Sequence, residues 1–460
     1  MRSLLVLFIF AFLLSCSKEG YLTDHNAGIR LSEDTLSFDT VFTSTGSVTH
    51  AFLIHNPNDK KIKISSISLA GGNSSAFRIN ADGVPGPEIR NIDIAANDSI
   101  YVFATVTIHP NSETLPFLVR DSVAIHFNGN TRFVQLQAYG RNAVFLRNHR
   151  ISLSETWNNE LPYVILGELN IEEGATLIIG EGTQIYFHAD APMVVQGSLK
   201  VNGDRYDSTL VVFQGDRLDE PYRDYPGAWP GIYFSETSRD NVLNYAVIKN
   251  SYRGITTENY LPGNTKIILN QCRIENTYDA AILSLGSSME LNNCLIANSG
   301  NGIILGYGGN YLFRHVTAVN VANNYIITKN PVLTVANYVV EDNVAYTAPL
   351  NASFVNSIFW GQGSAVEDEV KVLKEGSTVY NVHFENCLWK IKNAPGEGNF
   401  TGMIAEDPLF DSINISSNYY NFELKDNSPA IDAGKPMVLP IDIRGKTRGS
   451  LPDIGAFEKD

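Results

Sequence analysis

Asn244-Tyr245-Ala246-Val247-Ile248-Lys249-Asn250, Asn270-Gln271-Cys272-Arg273-Ile274-Glu275-Asn276 and Asn292-Asn293-Cys294-Leu295-Ile296-Ala297-Asn298 are three copies of one seven-residue pattern. Each opens and closes on Asn and places small or aliphatic residues at its third and fifth positions. A weaker copy begins at Arg314 and keeps Val316, Ala318 and Asn320; further copies begin at Asn356, with Ile358 and Trp360, and at Asn386, with Leu388. The intervals counted from Asn244 are 26, 22, 22, 42 and 30 residues. A period near 22 with insertions describes successive turns of a coil, because one such unit cannot bury its apolar side until the next stacks on it, about 4.8 Å away. The pattern therefore predicts one inward ladder of Ala246, Cys272, Cys294, Val316, Ile358 and Leu388. The recurring Asn is expected at a corner, bonding neighbouring backbone or the Asn one turn away.

The same rhythm reaches back to about residue 150. Gly167-Glu168-Leu169-Asn170-Ile171, Gly174-Ala175-Thr176-Leu177-Ile178-Ile179 and Gly182-Thr183-Gln184-Ile185-Tyr186-Phe187 are very short strands punctuated by Gly, with no helical period between them. These repeats resemble right-handed, single-stranded parallel β-helix proteins, and the resemblance assigns residues 150–460 to that fold. Asp407-Pro408-Leu409-Phe410, Ser428-Pro429-Ala430-Ile431-Asp432-Ala433-Gly434, Asp442-Ile443-Arg444-Gly445 and Asp453-Ile454-Gly455-Ala456-Phe457-Glu458 resemble the closing segment of many bacterial surface β-helix proteins. There the segment caps the last coil, and the same is expected here. A long interval around 337–351 marks an insertion.

Residues 30–145 read differently. Runs such as Ile100-Tyr101-Val102-Phe103-Ala104-Thr105-Val106 alternate, turn clusters separate them, and Ser122–Phe127 and Phe133–Gly140 flank Asn128-Gly129 as a hairpin. The spacing predicts a two-sheet sandwich, so the chain is expected to be all-β. The segments Phe52-Leu53-Ile54-His55-Asn56-Pro57-Asn58 and Leu136-Gln137-Ala138-Tyr139-Gly140-Arg141 resemble bacterial immunoglobulin-like domains of the hydin-related kind, which implies a spacer or docking module.

The first residues are an address. Met1-Arg2-Ser3 gives a positive start and 4–14 an apolar run, too short to span a bilayer. It ends in Leu13-Leu14-Ser15-Cys16, which resembles the lipobox of bacterial lipoproteins. The resemblance implies that 1–15 are removed, that Cys16 is acylated, and that 16–29 form a tether. Ser17-Lys18-Glu19 resembles the export signal of Bacteroidota surface lipoproteins, so an outer-membrane location facing the exterior is expected. Several acyl chains anchor stably where one is marginal.

Composition narrows the partners. The 460 residues hold 34 Lys+Arg against 49 Asp+Glu, a net charge of −15, which argues against nonspecific nucleic-acid binding. Hydrophobic residues at 44% exclude a disordered chain. Beyond Cys16, the remaining Cys272, Cys294 and Cys387 have no metal-ligand spacing, so neither a disulfide framework nor zinc is expected. Asp432, Asp442 and Asp453 are the one weak set for Ca²⁺, against a reading in which they bond corner backbone N–H groups.

Many β-helix proteins cleave polysaccharides. The Asn-Thr-Asp, Asp-Asp, Gly-His-Gly and Arg-Ile-Lys patterns of polygalacturonases do not occur here. A lyase needs a base and cations, for which Arg253, Lys266, Arg273 and Arg314 are candidates that also read as outer-face charges. The reading leans away from catalysis. One segment, 215–231, breaks the strand rhythm and concentrates Arg217, Tyr222, Arg223, Tyr225 and Trp229. Aromatic and Arg side chains on a rigid scaffold suit a contact with protein or sugar; the alternative is that Trp229 packs over the coil and the charges pair with one another. The expectation is a non-catalytic, lipid-anchored binding or scaffold protein serving an outer-membrane protein complex. A glycan-capturing surface protein is the first alternative, and a polysaccharide lyase or glycoside hydrolase the second.

Overall fold

The computed structural model describes residues 20–259, 265–363 and 365–459. The signal-type segment and Cys16 lie outside the described residues. Two compact units divide the chain, Met1–Asn142 and Ala143–Asp460. The described residues are all-β, with three single-turn 3₁₀ segments.

The first unit holds two five-stranded sheets. His50–His55, Ser99–Val106 and Phe77–Ala81 are the middle of one; Asn130–Arg141, Phe117–Phe127 and Ile62–Leu69 are the middle of the other. Alternation places Phe52, Val102 and Phe77 from one sheet against Phe38, Ile64 and Val134 from the other in a single core. The long hairpin turns through Asn128 and Gly129, both with positive φ (46° and 75°), as a two-residue turn between twisted strands requires.

The second unit is a β-helix: 23 strands form one parallel sheet in which a strand pairs with the third one on. Gln184–Phe187 pairs with Val211–Gly215, which pairs with Ala246–Lys249, which pairs with the strand beginning at Arg273. Ile185, Phe213, Ile248, Ile274 and Ile296 stack inward accordingly, all essentially inaccessible. The strand Val144–Ile151 already pairs with Tyr163–Ile171, so the coil starts ahead of residue 150.

The thiol ladder holds at Cys272 and Cys294, both free and buried: Leu295 N–H donates to the Cys272 carbonyl, and Thr317 N–H to that of Cys294. It then departs from expectation by one residue. Thr317 is in register with Ile358, and Ile358 with Leu388, so the ladder continues through Val316, Ser357 and Cys387. Ile358 and Leu388 lie on the other side of the sheet. The reason is backbone conformation. Tyr245, Gln271, Asn293, His315, Asn356 and Asn386 share a corner with φ between 49° and 53°. Asn tolerates that left-handed region best among residues with a side chain, so Asn356 and Asn386 match the second position of the repeat, not the first. The first-position Asn residues form the expected amide ladder. Asn270 Nδ2 donates to Asn244 Oδ1 at 2.8 Å, Asn292 Nδ2 to Asn270 Oδ1 at 2.9 Å, and Arg314 Nε to Asn292 Oδ1 at 2.8 Å.

The C-terminal segment does not sit as a lid on the last coil. Leu295, Val319, Ile358 and Leu388 make the outer flank of several turns apolar, and Phe410, Phe422, Ile443, Ile454 and Ala456 cover it as a lateral strap. The left-handed corners hold this strap. Arg448 donates to Asn293 Oδ1 at 2.8 Å, Asn356 Oδ1 accepts from Lys435 N–H at 2.8 Å, and Asn386 Nδ2 donates to the Ala433 carbonyl at 3.0 Å. His315, fully buried, donates from Nδ1 to the Asp453 carbonyl at 3.1 Å and accepts at Nε2 from Asn356. Accepting at Nε2 needs the neutral ring, whereas the Nδ1 bond would survive protonation.

Burial, then the neighbouring Arg448, push the His315 pKa down to about 3 from 6.5. The unfolded chain therefore takes up this proton first, and stability falls as pH drops below 6.5. By pH 5 the loss is about 2 kcal/mol. The buried Asp453 carboxyl, raised above its ordinary range, opposes this near its own titration at lower pH. Hydrogen exchange of the strap should accelerate between pH 6.5 and 5, after correction for intrinsic rates, and His315→Gln should flatten that pH dependence.

Candidate functional site

The segment 216–231 leaves the coil between Val211–Gly215 and Ile232–Phe234. Arg217 is clamped by Asp219 through two bonds of 2.7 and 2.8 Å, and its guanidinium lies 4.1 Å from the centre of the Tyr222 ring. Arg223 meets Glu220 at 2.5 Å and Asp224 at 3.6 Å. The charges thus pair within the loop. Trp229 is not a surface residue. It is 1% exposed, stacks 4.3 Å from Phe187, and donates its indole N–H to the Lys249 carbonyl at 2.9 Å. Its large apolar area and single donor are both satisfied there, which removes it from any contact surface.

The closing Asn of the first two repeats fastens this loop. Asn250 Nδ2 donates to the Arg223 carbonyl at 2.6 Å, and Asn276 Nδ2 to the Asp224 carbonyl and Asn250 Oδ1, both at 2.8 Å. These amides are structural, and they fix where the remaining aromatics stand.

Tyr222 and Tyr225 come together with a ring the sequence reading did not connect to them. Tyr222 and Tyr225 centroids are 5.2 Å apart, and Tyr225 lies 5.1 Å from Tyr325 on a later loop. Tyr252 and Tyr278 form a second stack, at 5.5 Å and about 50% exposed, and Tyr278 packs against the loop backbone at Gly227. One signal of that second stack was present: Tyr252 and Tyr278 are 26 residues apart, the interval that separates the first two repeats.

Beside the loop lies a cleft of about 280 Å³. Its lining includes Asn250, Asn276 and Asn298, Asp224 of the loop, and Tyr419 and Tyr420 on the hairpin strand Tyr419–Leu424. Glu275 and Lys249 enter it from adjacent turns, in register with each other. At the foot of the loop His188 Nδ1 meets Asp216 Oδ2 at 2.7 Å, and burial raises the Asp216 carboxyl above its ordinary value. Flat rings, amides and carboxylates on a rigid coil can bind the faces and hydroxyls of a polyol.

The other sequence candidates are engaged elsewhere. Arg253 pairs with Asp279 at 2.7 Å and Arg314 with Glu290. Lys266 is buried and donates to the Ser235 and Glu258 carbonyls, and burial lowers its pKa to about 8. Burial, then the nearby Arg273, lowers the pKa of the strap's Arg444. Asp442 accepts from the N–H groups of Arg444, Lys446 and Glu458, and Asp453 from those of Asp432 and Lys459. These carboxylates serve as backbone acceptors in the strap.

No protein-family model matches the chain, and no curated protein sequence matches it. Among solved structures, it is similar to the pectate lyase Pel9A at 13% identity and TM-score 0.33, over 69% of this chain and 88% of that one. An α-1,3-glucanase of family GH87 from Streptomyces thermodiastaticus is similar at 13% identity and TM-score 0.25, over 77% and 88%. A family 123 glycoside hydrolase from Clostridium perfringens is similar at 12% and TM-score 0.20, and the chain spans 26% of its length.

Trp229→Ala is expected to destabilise the coil by about 3–5 kcal/mol, through lost burial and a residual cavity. Tyr222→Ala should stay within about 1 kcal/mol. Denaturant unfolding of the two variants, followed by tryptophan-independent circular dichroism, measures both.

Proposed function

We propose that the protein is a non-catalytic glycan-binding protein that captures a saccharide chain on the tyrosine-lined edge of its β-helix. In this reading Cys16 carries the lipid anchor, the outer membrane holds the protein facing the exterior, and an immunoglobulin-like sandwich sets the right-handed coil away from the membrane. The observation that carries the reading is the grouping of Tyr222, Tyr225 and Tyr325 next to a cleft of amides and carboxylates. Tyrosine offers a rigid apolar face and a polar tip, which suits a ligand with alternating C–H faces and hydroxyls. An outer-membrane protein complex as partner gains no comparable support from the coil.

Asp224 and Glu275 share the cleft, so hydrolysis or elimination is tested with the same material. Affinity electrophoresis of the purified chain in gels containing soluble polysaccharides should show retardation by at least one. Tyr225→Ala and Tyr325→Ala should each weaken it about tenfold, and prolonged incubation should release no reducing ends or unsaturated products. Stoichiometric recovery of a membrane barrel from detergent-solubilised native membranes, with no polysaccharide retardation, would replace this reading with the scaffold one.

A further inference from the structure

We infer that the captured glycan is uncharged: a polymer of neutral sugars and not a uronate or sulfated one. The inference rests on the glycan reading above and narrows its ligand class. A uronate polymer carries a carboxylate on each sugar, and bringing these against a protein requires facing cations or donors aimed at the charge. The cleft supplies the opposite. Its lining charges are Asp224 and Glu275 against Lys249 alone, and Lys249 stands in register with Glu275 on the neighbouring turn.

The arginines around the rim are committed to ion pairs. Arg223 is flanked by Glu220 and Asp224, Arg217 is held bidentate by Asp219, and Arg253 by Asp279. A carboxylated chain would have to break one of these pairs or lie against the carboxylates of Asp224 and Glu275. Either route costs far more than a neutral chain pays. Neutral sugars fit the same groups, since a carboxylate only accepts hydrogen bonds and a sugar hydroxyl donates them. Tyr222, Tyr225 and Tyr325 meanwhile supply contact area that needs no charge.

The test titrates the purified full chain with neutral polymers (xyloglucan, mixed-linkage β-glucan, mannan) and acidic ones (polygalacturonate, alginate) at low and raised salt. At least one neutral polymer should bind saturably, with an affinity steady within about twofold between roughly 20 and 300 mM NaCl, because no ion pair forms on binding. Acidic polymers should bind at least about tenfold more weakly. The double variant Asp224→Asn, Glu275→Gln should narrow that gap. Acidic polymers binding as tightly as neutral ones, with an affinity that falls as salt rises, would overturn the inference and leave the glycan reading standing. An unchanged gap in the double variant would also overturn it, because the discrimination would not come from these charges. Failure of every polymer to bind would overturn the glycan reading itself.

Discussion

Everything in the larger unit hangs on the hydrogen bonds between one turn of the coil and the next. A parallel strand satisfies its backbone only through neighbours, so each turn must present its N–H and C=O groups at the same height as the one below. That register leaves little freedom. It fixes the inward column of Ile185, Phe213, Ile248, Ile274 and Ile296, and it forces each corner to the same backbone conformation turn after turn. Side chains at the corners then stack whether or not their chemistry favours it, and the amide ladder Asn244, Asn270, Asn292 is the case where it does. Each amide donates to the one beneath, so buried polar groups are satisfied along the whole row.

The other two columns of the repeat have different duties. The left-handed corner running from Asn293 through His315 to Asn386 is the dock for the C-terminal strap, which reaches it with Arg448, the Asp453 carbonyl, the Lys435 N–H and the Ala433 carbonyl. The closing column, Asn250 and Asn276, grips the carbonyls of Arg223 and Asp224 in the projecting loop. Residues with no reactive chemistry thereby decide where the exposed tyrosines stand. A loop held at successive carbonyls loses little freedom when a ligand arrives, so its aromatic faces are preorganised.

The coil was legible in the sequence because its repeat is short, apolar at fixed positions and marked by Asn. The same mark misled where the corner changed residue: His315 occupies a position that Asn fills in the turns on either side, and following Asn alone moved Ile358 and Leu388 onto the wrong face. A one-residue slip in a strand reverses every side chain. The strap was recognisable from its Asp, Pro and Gly string, but its place along the flank depends on Leu295 and Ile358 pointing away from the coil interior, which no local pattern reveals. In the loop, composition could not separate Trp229, which is buried on Phe187, from Tyr222 and Tyr225, which remain at the surface. Only three-dimensional position distinguishes an aromatic ring that closes a core from one that faces solvent.

That distinction also bears on why a chain with so many carboxylates has so few free charges at its candidate site. On a coil, neighbouring turns bring side chains of equal height to about 4.8 Å, a spacing at which unlike charges attract and like charges conflict. Arg253 beside Asp279 and Arg314 beside Glu290 obey that rule. Any cation that the coil places on its surface thus tends to be matched by its own neighbour before a ligand arrives. A β-helix that grips an anionic polymer has to suspend this pairing over several turns, leaving like charges stacked and unmatched at a cost in stability. Here the pairing is kept, and what the surface has left to offer a partner is aromatic area and hydrogen-bond acceptors.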